Sequence, residues 1–579
     1  MQYYVLAPLR KADVEESARA SGLNTDTFLV QIESSGAVPF AIKPVTLKFL
    51  LMLSQKQGSL PTSQIELYLA GCRELVAEKS KSRIAARGIG QLSPDQRLAV
   101  AARIAACMVF GNRNAIYVGM DLPESSDEDT LLRDLSGGYE TDNGARFAIT
   151  EKEIRETLST ALFSTRGPNR IGWGHQTYAE FLAAWHLKKH DLSVAQIKSL
   201  IIHPGDSSEK FIPQLSETTA WVAGMVPEIF ETIVQAEPDL LLRSEVATGD
   251  SLQRATLVKA LLQLYDEEKS YDRDHEHYKN LHHPGIATQL RPYIIDKRKG
   301  VIVRRTAIDI AESCNIQSLN GDLSKVVLDL SDTLEIRVQA AYAIGRIGDD
   351  ATKTKLKPLL ETDAPDDRQD ELRGSILRAL WPSNLIRAAE LFPLIKPPKS
   401  EGFIGVYRLF LSAELVQNLA SEDLVLALQF ISNLSQPRHE MDRSFGSLMD
   451  GIVPKAWEHL DKPGVTEALA KFVVTRLKHH DEIIEGKLNK TDQLTFEHDE
   501  DKRRRLLKAV LSTLAKTPET DGSWLLSSHT AIVLPNDFHW LVSLLDHNTN
   551  TKLQNVVADV LFRLFDDRSP KHLAEIIHD

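Results

Sequence analysis

One helical spacing recurs three times in the second half of this 579-residue chain, and few architectures accommodate it. Val303, Ala307, Ile310, Ala311 and Cys314 stand at offsets 0, +4, +7, +8 and +11. Ile336, Ala340, Ala343, Ile344 and Ile347 stand at the same offsets, and Leu372, Ile376, Ala379 and Leu380 repeat the first four. The starts lie 33 and then 36 residues apart. Apolar residues at these offsets line one face of an α-helix rather than a strand. A helix with one apolar stripe cannot bury it alone, so a tandem series of them has to stack on its neighbours. Each copy also carries an arginine directly after its first apolar residue: Arg304, Arg337 and Arg373. The pattern predicts a helical solenoid over 301–579, with one buried helix per unit. Beyond residue 400 the helices continue without a definable period. Leu553, Val556, Val557, Val560, Leu561 and Leu564 make one late amphipathic helix.

Composition agrees with a helical chain. Gly and Pro together are 55 of 579 residues, about 9.5% against a typical ~12%. The net charge of −12 makes the chain a poor general ligand for nucleic acid, whose phosphates dominate such affinity. Cys72, Cys107 and Cys314 lie far apart and suggest neither a disulfide framework nor a zinc ribbon. The start, MQYYVLAPLRKADVEE, has no basic stretch followed by an apolar core. The longest apolar runs, such as Ala99–Phe110, are interrupted by Arg103 and fall short of ~20 residues. The expectation is a cytoplasmic protein with no membrane partner and no nucleic-acid partner.

The first 200 residues read as short helices with clear start signals. Ala12–Ser21, Thr25–Ser34, Pro44–Gln55 and Ser63–Glu78 form the first group, and the charged stretch Glu78–Gln91 reads as a linker. Ser93-Pro94 is an N-cap followed by a first-turn proline, opening a helix to Phe110. Asp121–Gly144, acidic and rich in Ser and Gly, reads as a loop. Thr150 with Glu153 is a capping box opening a helix to about Phe163, and Arg170–Trp173 is β-like. Thr177 with Glu180 reads as a second box, opening a helix through Leu187. This order suits a small winged-helix module, with a generic helical bundle as the alternative.

His175 is the first functional candidate. It lies just before an apolar helix whose face is Tyr178, Phe181, Leu182 and Trp185. A helix N-terminus offers unpaired N–H groups and partial positive charge, and a histidine there can donate to a phosphate. The competing reading is a histidine that merely closes a turn. The run Trp173-x-His175-x-Thr177-Tyr178-x-Glu180-Phe181-Leu182-Ala183-Ala184 resembles the winged-helix motif of NACHT-type STAND NTPases, departing from it with Trp173 in place of Phe. The resemblance implies that His175 contacts the β-phosphate of bound ADP and helps hold a closed, inactive state. Tyr4–Leu9 with Asp13 is similar to a strand and helix of that family's ATPase core. Ala41–Leu47 is similar to its proline-containing helical motif, which implies that Pro44 packs on the adenine; its alternative role is that of an ordinary helix-start proline. Leu60–Cys72 also looks like this family. The likeness covers roughly residues 3–200.

A P-loop needs G-x-x-x-x-G-K-[ST], and no such string occurs. Gly486-Lys487 is followed by Leu488, and Val326–Asp329 reads as a solenoid helix rather than a metal-binding strand end. The resemblance therefore implies a non-enzymatic regulatory portion of a STAND signalling protein, an antiviral defence switch, with weak ADP or ATP binding and no autonomous hydrolysis. Its expected organisation is a remnant of the ATPase core with helical subdomain (1–90), a winged-helix domain (91–200), a helical connector (201–300) and HEAT-like repeats (301–579) that bind a protein ligand. Met1, mid-way through what resembles an ATPase core, reads as a true start, a mis-called start or a frameshift scar; a truncated core exposes a strand edge at Tyr3–Leu6 and calls for a partner, for which an upstream P-loop-bearing polypeptide is one candidate. The alternatives are a free-standing helical-repeat scaffold, one half of a split STAND NTPase, or a remnant of a disrupted gene.

Two further runs carry weaker signals. His275, His277, His282 and His283, with Asp272 and Asp274, match no zinc spacing and read as a solvated segment, so no metal is expected. Lys502–Arg505, following Glu497–Asp501, reads as an exposed helix with internal charge pairing, and Lys478–Asp481 is similarly bland.

Overall fold

The structure is a computed structural model. It describes residues 9–565, apart from 36, 43, 62, 78–91, 120–127, 206–209, 243–248, 268–274, 363, 401, 435, 485–498, 518–525, 527–529, 531 and 547–549. The expected linker at 78–91, the strand edge at Tyr3–Leu6 and Gly486-Lys487 lie outside the described residues. The protein is mainly helical and divides into two compact units, Met1–Pro292 and Tyr293–Asp579.

The first unit opens with α1 (Lys11–Ala20), α2 (Thr25–Ser34), α3 (Val38–Ala41), α4 (Pro44–Gln57) and α5 (Gln64–Val76). Next come α6 (Pro94–Phe110), β1 (Ala115–Tyr117), β2 (Asp129–Leu131), α7 (Leu132–Leu135), β3 (Tyr139–Asp142), β4 (Ala145–Ala148), α8 (Glu151–Leu158), β5 (Phe163–Thr165), β6 (Arg170–Trp173) and α9 (Gln176–Lys189). After them stand α10 (Val194–Ile201), α11 (Ser216–Met225), α12 (Pro227–Ala236) and α13 (Ser251–Asp266). The caps at Ser93 and Thr150 form as expected, each closing a reciprocal box. The second helix ends at Leu158 rather than near Phe163, because Phe163 enters a strand.

The centre of this unit is α6 packed on α9. Val100, Ala101, Ala102 and Ala105 of α6 and Phe181, Leu182, Ala183 and Ala184 of α9 are all buried. Alanines on both faces allow close approach, and the larger side chains fill what remains. Arg97 lies inside this core. Its guanidinium donates to Glu156 at 3.0 Å, to the Val76 carbonyl at 2.6 Å and to the Leu92 carbonyl at 3.0 Å. That one side chain joins the end of α5, the start of α6 and α8.

The stretch 121–144, read as a loop, contains regular structure. β2 pairs in parallel with β1, and β1 and β5 flank β6 antiparallel, giving the order β2-β1-β6-β5. β3 and β4 form a hairpin around Asn143-Gly144, at φ of 47° and 80°. Asn-Gly is the residue pair that a two-residue hairpin turn selects. The strands are short and polar, so alternation is too brief to be read from composition.

The second unit includes α14 (Val301–Ser313), α15 (Asn320–Leu328), α16 (Leu334–Ile347) and α17 (Glu371–Leu380). Their repeat residues are buried, and α14, α16 and α17 pack in sequence. Val326–Asp329 falls at the end of α15, a helix as expected. The repeat arginines are interior. Arg304 donates to Ile294 O at 3.0 Å, Arg337 to Val327 O at 3.0 Å and Arg373 to Leu394 O at 3.0 Å. Each acceptor lies at the end of a neighbouring helical segment, where carbonyls have no intrahelical partner. Arg304 also forks onto both oxygens of Asp332, at 2.7 and 2.6 Å.

Further helices continue the unit: α18 (Leu424–Ser432), α19 (Arg443–Glu458), α20 (Val465–Lys478), α21 (Glu500–Leu514), α22 (Phe538–Asp546) and α23 (Thr551–Leu564). The basic cluster on α21 departs from its expected exposed pairing. Arg503 is buried against Asp537 and donates to Ile532 O at 3.1 Å, while Arg504 pairs with both Glu500 and Asp537.

Candidate functional site

His175, not Thr177, caps α9. Its Nδ1 accepts from the Thr177 backbone N–H at 3.3 Å and lies 2.7 Å from Thr177 Oγ1. Thr177 is thus the second helical residue, and the capping-box assignment at Thr177 is corrected. An Nδ1 that accepts carries no proton, so the neutral ring holds its proton on Nε2. Pro44 is exposed at the first position of α4.

An aromatic chain connects the elements that carry these two residues. His175 lies 5.7 Å from Tyr178, Tyr178 lies 5.2 Å from Phe40, and Phe40 lies 4.7 Å from Tyr68 (ring centroids). Phe40 sits just before Pro44, and Thr46 on α4 donates its hydroxyl to the Phe40 carbonyl at 2.5 Å. Gly71 on α5 lets Phe40 seat: a Cβ there would fall 2.5 Å from the Phe40 ring. Tyr68 and Phe181 both reach Trp221 of α11. Of the expected apolar face, Tyr178, Phe181 and Leu182 are buried and Trp185 is half-buried.

A cavity of about 360 Å³ opens beside the start of α9. Its walls include Arg113, Arg166, Trp173, Gln176, Glu180 and Gln214. Burial, then the charge of Glu217, pushes the Glu180 carboxyl up to about 7, against a hydrogen bond from Gln176. Trp173 is buried, and its Nε1 has no hydrogen-bond partner.

At the other end of α9, His186 and His190 meet Glu140 of β3. His190 Nε2 lies 3.1 Å from Glu140 Oε2, and the two imidazoles lie 4.2 Å apart. Burial, followed by His190, Arg103 and Lys189, pushes His186 down to about 3, so its ring is neutral at ordinary pH. Sequence reasoning passed over this trio. The i, i+4 histidines were visible, but Glu140 lay in a stretch read as a loop.

The histidine-rich run is only partly described. Asp272, Asp274 and the side chains of His275 and His277 lie outside the described residues. His282 is exposed, and His283 is buried, with Nδ1 2.9 Å from Leu281 O. Among the described residues no helix is long and apolar enough to cross a membrane. No protein-family model matches the chain, and no curated protein matches it.

Proposed function

We propose that this chain is the regulatory and sensing portion of a NACHT-type STAND signalling NTPase, a switch in antiviral defence. The observation that carries this reading is the aromatic chain from His175 through Tyr178 and Phe40 to the helix headed by Pro44. It ties together the elements that carry the two candidate ADP contacts, which stand 131 positions apart in the chain. The exposed Pro44 ring suits an adenine face, and the capping tautomer puts the proton of His175 on Nε2, a donor of the kind a phosphate oxygen accepts. Nothing in the sequence supplies the amide cradle of a P-loop, so the fit covers the base and one phosphate contact only. Binding by this chain is accordingly weak, and no hydrolysis is assigned to it.

In this reading residues 91–200 form the winged-helix domain. The repeats over 301–579, HEAT-like in period, read a protein ligand. ADP favours the closed state, and the ligand favours an open one by binding it better. An upstream polypeptide carrying the P-loop completes the nucleotide site.

Thermal unfolding of the full chain with millimolar ADP tests this. A ligand that binds only the folded state raises Tm by mass action. His175→Asn keeps a side-chain oxygen at the cap but lacks Nε2–H. The expected result is an ADP-dependent rise in the wild type that disappears in His175→Asn, whose unliganded Tm falls only slightly. The absence of any ADP effect on the wild type, alone and with the upstream polypeptide co-expressed, would overturn the nucleotide switch. The chain would then stand as a helical-repeat scaffold. One observation favours that second reading: capping alone accounts for His175.

A further inference from the structure

We propose that Glu140, His186 and His190 form a binding site for a divalent transition metal of the zinc class. The site is independent of the nucleotide reading. His186 and His190 stand four residues apart at the end of α9, so their rings project from one helix face. β3 supplies the third group by its pleat. Tyr139 and Thr141 are exposed, and Glu140 between them is turned inward, with its side chain 1% exposed. One donor atom from each of the three residues can be chosen so that all lie within 4.8 Å of one another. Tetrahedral zinc with bonds of about 2.0–2.1 Å holds its ligand atoms about 3.4 Å apart. The Glu140–His190 pair is already at 3.1 Å, so only His186 has to close in.

Two observations point to a missing partner rather than to a finished polar cluster. Glu140 Oε1 and His186 Nδ1 are both buried, and neither makes a hydrogen bond. Buried polar atoms are satisfied in the great majority of cases, so three orphans in one cluster, Arg103 Nε being the third, require an explanation. Two imidazoles and one carboxylate are the donor types that zinc accepts, and three protein ligands leave a fourth position for water.

The surrounding cations set the geometry. Arg103 is tied to the Gly137 carbonyl at 3.0 Å and stands 3.8 Å from Glu140 Oε1, where its charge orients the carboxylate. Lys189 Nζ lies 3.7 Å from Oε2 and is the charge that an incoming metal displaces. Without metal, Glu140 serves as counter-ion to Lys189 and Arg103, but that arrangement still leaves His186 Nδ1 unpaired. Metal binding would pin the β3–β4 hairpin to the end of α9.

The test uses the full chain after chelator treatment and dialysis. Co²⁺ is titrated while visible absorption is followed, and Zn²⁺ is titrated by calorimetry and thermal unfolding. The expected result is one saturable equivalent, a tetrahedral Co²⁺ spectrum and a Zn²⁺-dependent rise in Tm. His190 is exposed, so His190→Ala is expected to fold with an unchanged metal-free Tm while its Kd for Zn²⁺ rises at least about tenfold. Glu140→Gln is expected to lose the Co²⁺ spectrum. His203→Ala, which alters an exposed histidine outside the trio, is expected to bind as the wild type does. The absence of one-equivalent binding, or equal loss in His190→Ala and His203→Ala, would overturn the proposal.

Discussion

His175 holds the start of α9 through Nδ1, so a substitution there acts on the helix as well as on any ligand. His175→Ala is expected to cost about 1 kcal/mol, the usual price of a lost N-cap, and His175→Asn to recover most of it. Thermal unfolding without ligand separates the two. Glu180 makes a second residue-scale prediction. Its folded-state pKa, raised to about 7 by burial and then by Glu217, exceeds the ordinary 4.5. Between those values the folded protein keeps a proton that the unfolded chain releases, so stability falls as pH rises from about 4.5 to about 7. Glu180→Gln removes this penalty. It is expected to stabilise the protein at pH 8 by on the order of 2 kcal/mol and to do little at pH 4.5. Equal effects at both pH values in parallel thermal scans would rule the account out.

At the scale of elements, the first unit depends on contacts that join three or more of them. Arg97 connects α5, α6 and α8 from inside the core, paired with Glu156. Breaking a buried pair by removing one partner leaves an uncompensated charge, which costs about 3–5 kcal/mol. Arg97→Ala is therefore expected to lower Tm far more than Arg73→Ala, whose partner Asp95 is at the surface. Gly71→Ala tests the seat of Phe40. The added methyl meets a buried ring rather than a flexible chain end, and overpacking of this kind costs about 1–3 kcal/mol. Near-ultraviolet circular dichroism would register the displaced Phe40–Tyr68 pair. An unchanged spectrum with unchanged Tm would mean that the packing is looser than described.

Across the second unit, the repeat is held by polar contacts as well as by its apolar stripe. Burial pushes the Asp332 carboxyl up, but hydrogen bonds from Arg304 and the Thr333 N–H, with the charge of Arg304, outweigh it and hold it below the ordinary value. A depressed carboxylate stabilises the fold above its unfolded pKa, and that contribution is lost as pH falls through the folded value. Asp332→Ala leaves the Arg304 guanidinium buried without its counter-ion and is expected to cost about 3–5 kcal/mol. Asp366, 3.9 Å from Arg337 with a side chain 52% exposed, forms the contrasting pair. Asp366→Ala is expected to cost clearly less than Asp332→Ala, because Asp366 is half in water, reaches Arg337 only at 3.9 Å, and leaves the Arg337 bond to the Val327 carbonyl in place. Thermal unfolding of the two variants side by side checks the order.

Local physics was legible in the residue string. The caps at Ser93 and Thr150, the proline at the head of α4 and the face of each repeat helix depend on neighbours within about four residues, and a sequence displays such neighbours directly. The repeat arginines were visible as a pattern, but their carbonyl partners were not. The Asn143-Gly144 turn could have exposed the β3–β4 hairpin, yet its strands are too short and polar to show alternation. Tertiary structure alone decided what distant residues share. It buried Arg503 by bringing up Asp537, connected His175 to the Pro44 helix through two aromatic rings, and set Glu140 against His186, 46 residues away. A charge or a ligand atom takes its role from what surrounds it. For these residues the surroundings come from distant chain segments, brought together by helix packing within each unit and, for Glu140, by strand pairing in the first, which no spacing along the chain encodes.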